Sequence, residues 1–200
     1  MTTAVFIGTF DPLHAGHVGQ LLRTHQVIPL SKVLVLIDKN PAHKPHASSW
    51  QHRLEMAKLT LGCFDLPFAY EVLAAEDSLA GEIIQKIDYK ITGIDSFIEN
   101  ITDPSRWKFI QKWPMIVLSL PGIEESEIAH SLQSAPKKLK NHLEYKYISE
   151  VDAPLMNYDF DTQTFSTKRV HATHLRSGGS KKFIPPSVQE YIQAHQLYSA

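Results

Sequence analysis

Cysteine is almost missing from this chain: among 200 residues only Cys63 is one. No internal disulfide can form, which fits a reducing compartment and sets aside the small disulfide-stapled scaffolds. Long apolar runs are also missing. None approaches the ~20 residues that cross a bilayer, so no membrane partner is expected. The first residues enter an apolar run directly, without the basic and apolar regions of a signal peptide, and a cytoplasmic location is expected. Net charge is low: 20 Lys and Arg against 21 Asp and Glu leave −1. No global field recruits nucleic acid, and none is expected as a partner. The sequence shows no internal repeat and no low-complexity tract.

What is present suits a globular domain. With 43% hydrophobic residues, 20% charged residues and this length, one domain with a sizeable core is expected. Short β-branched runs alternate with segments of helical period. Residues 3–8 (TAVFIG), 33–38 (VLVLID), 68–74, 89–93 and 115–120 read as strands. The first two are apolar at successive positions, as strands buried on both faces are. Val18, Leu21, Leu22 and His25 mark a helix after the first strand. A second helix spans 48–61, with Ser48 and Gln51 spaced as a capping box, and a last one follows Pro185, with Ser187 and Glu190 so spaced. This alternation predicts an α/β fold with a mainly parallel sheet and helices on both faces. Residues 121–168 give little pattern. The run APKKLKNH (135–142) reads as a basic surface.

The chemistry gathers in AVFIGTFDPLHAGH, residues 4–17. Ligands of parallel sheets bind outside the carboxyl ends of the strands, and this turn follows the first strand. Gly8 offers close backbone approach. Asp11 before Pro12 reads as a helix cap with proline in first position. His14 and His17, three apart, share one face of the first turn. With the amide N–H groups of a helix start they suit a phosphate chain. A metal site with Asp11 as third ligand is the other reading, but no HExxH-like carboxylate accompanies the pair.

GTFDPLHAGH resembles the (H/T)xGH signature of the nucleotidyltransferase superfamily. Further stretches resemble bacterial nicotinate-mononucleotide adenylyltransferases: DKNPAHKP (38–45) their NxPPHK, GIDSF (93–97) their GxDS, VHATHLR (170–176) their ISSTxIR, and FIPPSVQEYIQAHQLY (183–198) their C-terminal ending. The resemblance implies a Rossmann-like doubly wound fold in a single nucleotidyltransferase domain over 1–200, with the C-terminal ATP-site motif and helix at 170–198. It implies transfer of AMP from ATP to the phosphate of nicotinate mononucleotide, giving nicotinate adenine dinucleotide and pyrophosphate in NAD synthesis. The implied ATP-binding residues are Gly8, Thr9, Phe10, His14, His17, Gly93, Asp95, Thr173 and Arg176. The implied acceptor-binding residues are Asn40, His43, Lys44, Ser78 and Trp107. His14, His17, Lys44 and Arg176 would be catalytic, with His17 nearest the α-phosphoryl group. Mg²⁺ would come with ATP as the cofactor and keep most of its waters. A helix start favours a neutral imidazole and a triphosphate a charged one, so the protonation of both histidines stays open.

The departures fall on the acceptor side. Ser78, Leu79 and Ala80 stand where the family has SYT, and Leu120, Pro121 and Gly122 where it has RPG; His171 and Ala172 replace the first two residues of ISST. Another acceptor, such as nicotinamide mononucleotide or pantetheine phosphate, or a nucleotide-binding protein without turnover, are the alternatives.

Overall fold

The computed structural model describes residues 1–41, 44–75, 87–154, 156–166, 175–176 and 181–198. Six strands form one parallel sheet: β1 (Thr3–Gly8), β2 (Lys32–Asp38), β3 (Ala69–Ala75), β4 (Tyr89–Gly93), β5 (Met115–Leu118) and β6 (Tyr145–Ile148). Their order is β3-β2-β1-β4-β5-β6. Direction of winding reverses between β1 and β4, the switch point at which such sheets open a crevice.

Alternate residues of each strand point to opposite faces. Ala4 and Phe6 of β1, with Val33, Val35 and Ile37 of β2, join a core with Val18 and Leu21 of α1 (Ala15–Val27) and Ala57 and Leu61 of α2 (Trp50–Leu61). On the other face Met115 and Val117 of β5 meet Ile94, Phe97 and Ile101 of α3 (Ile94–Thr102). Val5, Leu34 and Leu36 pack there with Trp113. Each fully buried Val, Leu, Ile, Phe or Met among them contributes about 1.5–3 kcal/mol. Two-sided burial explains the continuous apolar runs of the sequence. The Rossmann-like α/β fold is the expected one.

Residues 103–148 add a 3₁₀ turn (Pro104–Arg106), α4 (Trp107–Ile110), α5 (Ser126–Gln133), α6 (Lys137–Lys140) and β6. The basic run forms α6, with Leu139 buried and its lysines exposed. A hairpin of β7 (Asn157–Asp159) and β8 (Thr164–Ser166) then lies against α1. The backbone of Met156 rests on Gly19, where a Cβ would stand 1.5 Å from its carbonyl oxygen. Finally α7 (Pro186–Ala194) packs on the outer side of α2, through Val188 against Met56, together with Leu175 and Ile184. Among the described residues no helix is long and apolar enough to cross a membrane.

The expected caps are corrected. The first helix begins at Ala15, capped by His14, and Asp11 and Pro12, joined by a cis peptide bond, precede it. The cap of α2 is Ser49, whose Oγ accepts the His52 N–H, not Ser48. That of α7 is Pro185, with Pro186 in first position and no side-chain cap. Ser48 and Asp11 were drawn elsewhere by each other: Ser48 donates its hydroxyl (2.5 Å) and its amide (3.2 Å) to the Asp11 carboxylate.

Candidate active site

The loops after β1 and β4 face each other across the switch point. Gly8 closes β1, and the ring of Phe10 lies over it, 2.9 Å from where a Cβ would be. The space that the missing side chain leaves is therefore occupied by Phe10, which adopts a left-handed backbone (φ 47°) to reach it. That corrects the expectation of open backbone approach at Gly8.

His14 and His17 form a reciprocal cap at the start of α1. The Gly16 N–H donates to Nδ1 of His14 (3.1 Å), and the His14 N–H donates to Nδ1 of His17 (3.2 Å). A nitrogen that accepts an N–H carries no hydrogen, so each ring in this arrangement carries its own on Nε2. The rings stack at 3.9 Å between centroids, and the edge of His17 meets Phe10 at 5.1 Å. Burial among these rings, followed by the charge of Lys44, lowers the His17 pKa from 6.5 to about 3. Burial thus favours the neutral Nε2–H form of His17 in the ligand-free protein.

Lys44 follows the turn after β2. Burial, then Arg176, lowers its pKa, while the carboxylates of Asp11, Glu99 and Asp95 raise it. These influences place Lys44, Arg176, Asp11 and Asp95 in one electrostatic neighbourhood, with His17 coupled to it through Lys44. Asp95 lies in the first turn of α3 and accepts the Ser96 N–H at 2.7 Å. Gly93 precedes it without a side-chain cap. Arg176 donates to the Asp11 carbonyl (2.5 Å) and stands 3.8 Å from its carboxylate. Asn40 sits on the turn after β2, its N–H on the Asp38 carboxylate. Trp107 donates its indole N–H to the Ile101 carbonyl and packs against the core beneath α3, so its contacts are those of packing. His43, Ser78 and Thr173 lie outside the described residues.

Two arginines hold these loops, and neither carries a motif that marks it in the sequence. Arg53 of α2 is 1% exposed. Its guanidinium donates to the carbonyls of Thr9 (2.8 Å), Asp38 (2.7 Å), Lys39 (3.3 Å) and Ser48 (2.8 Å). It thus ties the end of β1 to the end of β2. Arg23 of α1 donates to the Ser119 carbonyl and hydroxyl and to the carbonyls of Ala153 and Ser149. It does the same for the ends of β5 and β6. The planar five-donor fork makes arginine suited to such multiple anchoring.

The arrangement can hold a chain of phosphates: a neutral imidazole donor at a helix start, with a lysine and an arginine beside it. Among the described residues no three His, Cys, Asp or Glu side chains come together as a metal site. A magnesium ion carried by a triphosphate needs no such cluster, since phosphates and water supply its ligands.

The sequence profile of the cytidylyltransferase-like family matches residues 5–172. A probable nicotinate-nucleotide adenylyltransferase of Nostoc sp. is 32% identical, over 98% of this chain and 96% of its own length. That of Chlorobaculum tepidum is 26% identical over the whole of both chains. Among solved structures, nicotinic acid mononucleotide adenylyltransferase of Plasmodium falciparum, complexed with NaAD, superposes with a TM-score of 0.66. It covers 98% of this chain and 97% of its own at 15% identity, a likeness of fold. The chain belongs to the cytidylyltransferase-like family and, within it, to the nicotinate-nucleotide adenylyltransferases.

Proposed function

We propose that this chain transfers AMP from ATP to the phosphate of nicotinate mononucleotide, forming nicotinate adenine dinucleotide and pyrophosphate. The observation that carries the reading is the His14–His17 cap at the start of α1 beside the switch point, with Lys44 and Arg176 electrostatically coupled to it, in a chain of this family. A phosphate oxygen of the mononucleotide attacks the α-phosphorus of ATP, and the bond to the pyrophosphate oxygen breaks. The attacking oxygen is already an anion, so no protein nucleophile or base is needed. Catalysis is then positioning and stabilisation of developing charge.

Each residue has a role on this reading. His17 donates Nε2–H near the α-phosphoryl group, and its low pKa keeps that donor neutral. His14 donates beside it. Lys44 and Arg176 neutralise the outer phosphates. Gly8, Thr9 and Phe10 shape the turn under the nucleotide, Gly93 and Asp95 meet its ribose, and Thr173 extends the phosphate cradle. Asn40, His43, Lys44, Ser78 and Trp107 belong to the acceptor side. Magnesium would come with ATP, held by its phosphates and water, and would offset part of the phosphate charge. One domain spanning 1–200 and a cytoplasmic location complete the reading.

Leu120 favours a second acceptor. It replaces the cation of the family's RPG, and its Cδ1 lies 3.2 Å from where a Cβ on Gly93 would be. An apolar side chain at that place suits an acceptor without a carboxylate, such as nicotinamide mononucleotide. Pyrophosphate release with ATP and Mg²⁺, compared for nicotinate mononucleotide, nicotinamide mononucleotide and pantetheine phosphate, decides. Preference for the first supports the main reading, preference for the second supports Leu120 as the determinant, and release with none overturns both.

A further inference from the structure

Asp11 takes no part in the reaction just described, yet it is 3% exposed and heavily used. Its carboxylate accepts the Ser48 hydroxyl and amide, and its carbonyl accepts Arg176. One more donor comes from far along the chain. The hydroxyl of Tyr198 donates to Oδ1 of Asp11 at 2.6 Å. Nothing in the local sequence requires this. After α7 the chain takes a left-handed backbone at Gln196 (φ 50°) and again at Tyr198 (φ 63°). Side chains other than glycine rarely adopt that conformation. Tyr198 also packs with Met56 and the neighbouring apolar residues of α2 and α7. Burial, followed by the Asp11 bond, pushes its hydroxyl pKa far up, so it stays a donor over the whole working range of pH.

We infer that Tyr198 is a positioning residue: through Asp11 it fixes the turn of residues 9–14, and with it the setting of His14, His17 and Arg176. Arg53 holds the Thr9 carbonyl, Thr60 the Leu13 carbonyl, Ser48 both oxygens of the Asp11 carboxylate and Arg176 the Asp11 carbonyl, while Tyr198 shares Oδ1. Among these, Tyr198 comes from the segment that follows α7, so it is the contact through which α7 bears on the phosphate site. The catalytic part of this inference rests on the adenylyl-transfer reading; the holding of the turn does not.

Tyr198→Phe removes the hydroxyl and keeps the ring. Amide hydrogen exchange is followed by mass spectrometry in the intact protein, beside steady-state turnover with ATP, Mg²⁺ and the acceptor that the wild type uses. The control is Tyr191→Phe, which removes a hydroxyl of the preceding helix α7 that faces His52 (2.9 Å). The expected result for Tyr198→Phe is exchange at least tenfold faster in residues 9–17, with exchange in the strands unchanged. Turnover is expected to fall about tenfold in kcat, with KM for ATP within twofold. Tyr191→Phe leaves exchange at 9–17 as in the wild type. Unchanged exchange at 9–17 in Tyr198→Phe overturns the inference, whatever the turnover. Faster exchange with unchanged kcat overturns its catalytic part. A wild type without turnover overturns the adenylyl-transfer reading, and exchange alone then decides whether Tyr198 holds the turn.

Discussion

Gly19 and the carbonyl of Met156 are in contact so close that a single added methyl group has no room: its carbon would stand 1.5 Å from the oxygen. The obstacle is backbone, which cannot rotate aside as a side chain can. In an exposed helix, replacing glycine by alanine stabilises by about 0.5–1 kcal/mol. Here Gly19→Ala is expected to destabilise by about 3 kcal/mol, measured by urea denaturation. A gain in stability would mean that the hairpin does not rest on α1.

Arg53 joins four carbonyls at the ends of β1 and β2. Arg53→Met leaves the buried Thr9 carbonyl and three half-buried ones without that donor, at a cost of about 3 kcal/mol. Arg53→Lys keeps the charge but loses the fork, and is expected to recover less than half of the loss. Chemical denaturation of the three proteins tests this. Equal stability of the lysine variant and the wild type would show that charge alone holds the loops.

His17→Ala removes the donor expected at the α-phosphoryl group. Turnover is expected to fall roughly 10²–10³-fold, the usual cost of one transition-state donor. ATP binding measured by calorimetry is expected to change little, because the loss falls on the transition state. A variant with near wild-type kcat would remove His17 from the reaction.

The His17 pKa of about 3 has a consequence for stability. Unfolded, the imidazole titrates near 6.5; folded, it resists protonation until about 3. Between these values the unfolded chain binds the extra proton, so this group's contribution is complete above pH 6.5 and is lost as pH falls toward 3. The slope from one such group is at most about 1.4 kcal/mol per pH unit. His17→Gln is expected to flatten the stability profile between pH 6.5 and 4 relative to the wild type. Parallel profiles would mean that His17 titrates normally in the folded protein.

Much of the sheet was legible because β1, β2 and β5 are covered on both faces and carry unbroken apolar runs. β6, YKYI, was not: Tyr145 and Lys146 at this edge are exposed. The three-residue strands of the hairpin, 157–159 and 164–166, are too short to show a period. The caps at Ser48 and Asp11 were misplaced because each residue's partner is 37 positions away. The same holds in the site. His14, His17, Lys44, Asp95 and Arg176 stood out through local motifs. Arg23 and Arg53 act on distant carbonyls and leave no local pattern, and Tyr198, though it closes the C-terminal motif, acts on a carboxylate 187 positions away that the motif does not mark.

The central place of β1 also governs how the protein is made. Its one edge finds β2 soon after residue 38, but its other edge waits for β4, whose pairing begins at Tyr89. At a synthesis rate of ~5–20 residues per second, those roughly fifty residues take about 3–10 s. During that interval the nascent chain carries an unpaired apolar strand edge, the form of surface that recruits other strands. The half-sheet of β1, β2 and β3 is thus complete in the chain before the crevice between β1 and β4 can form.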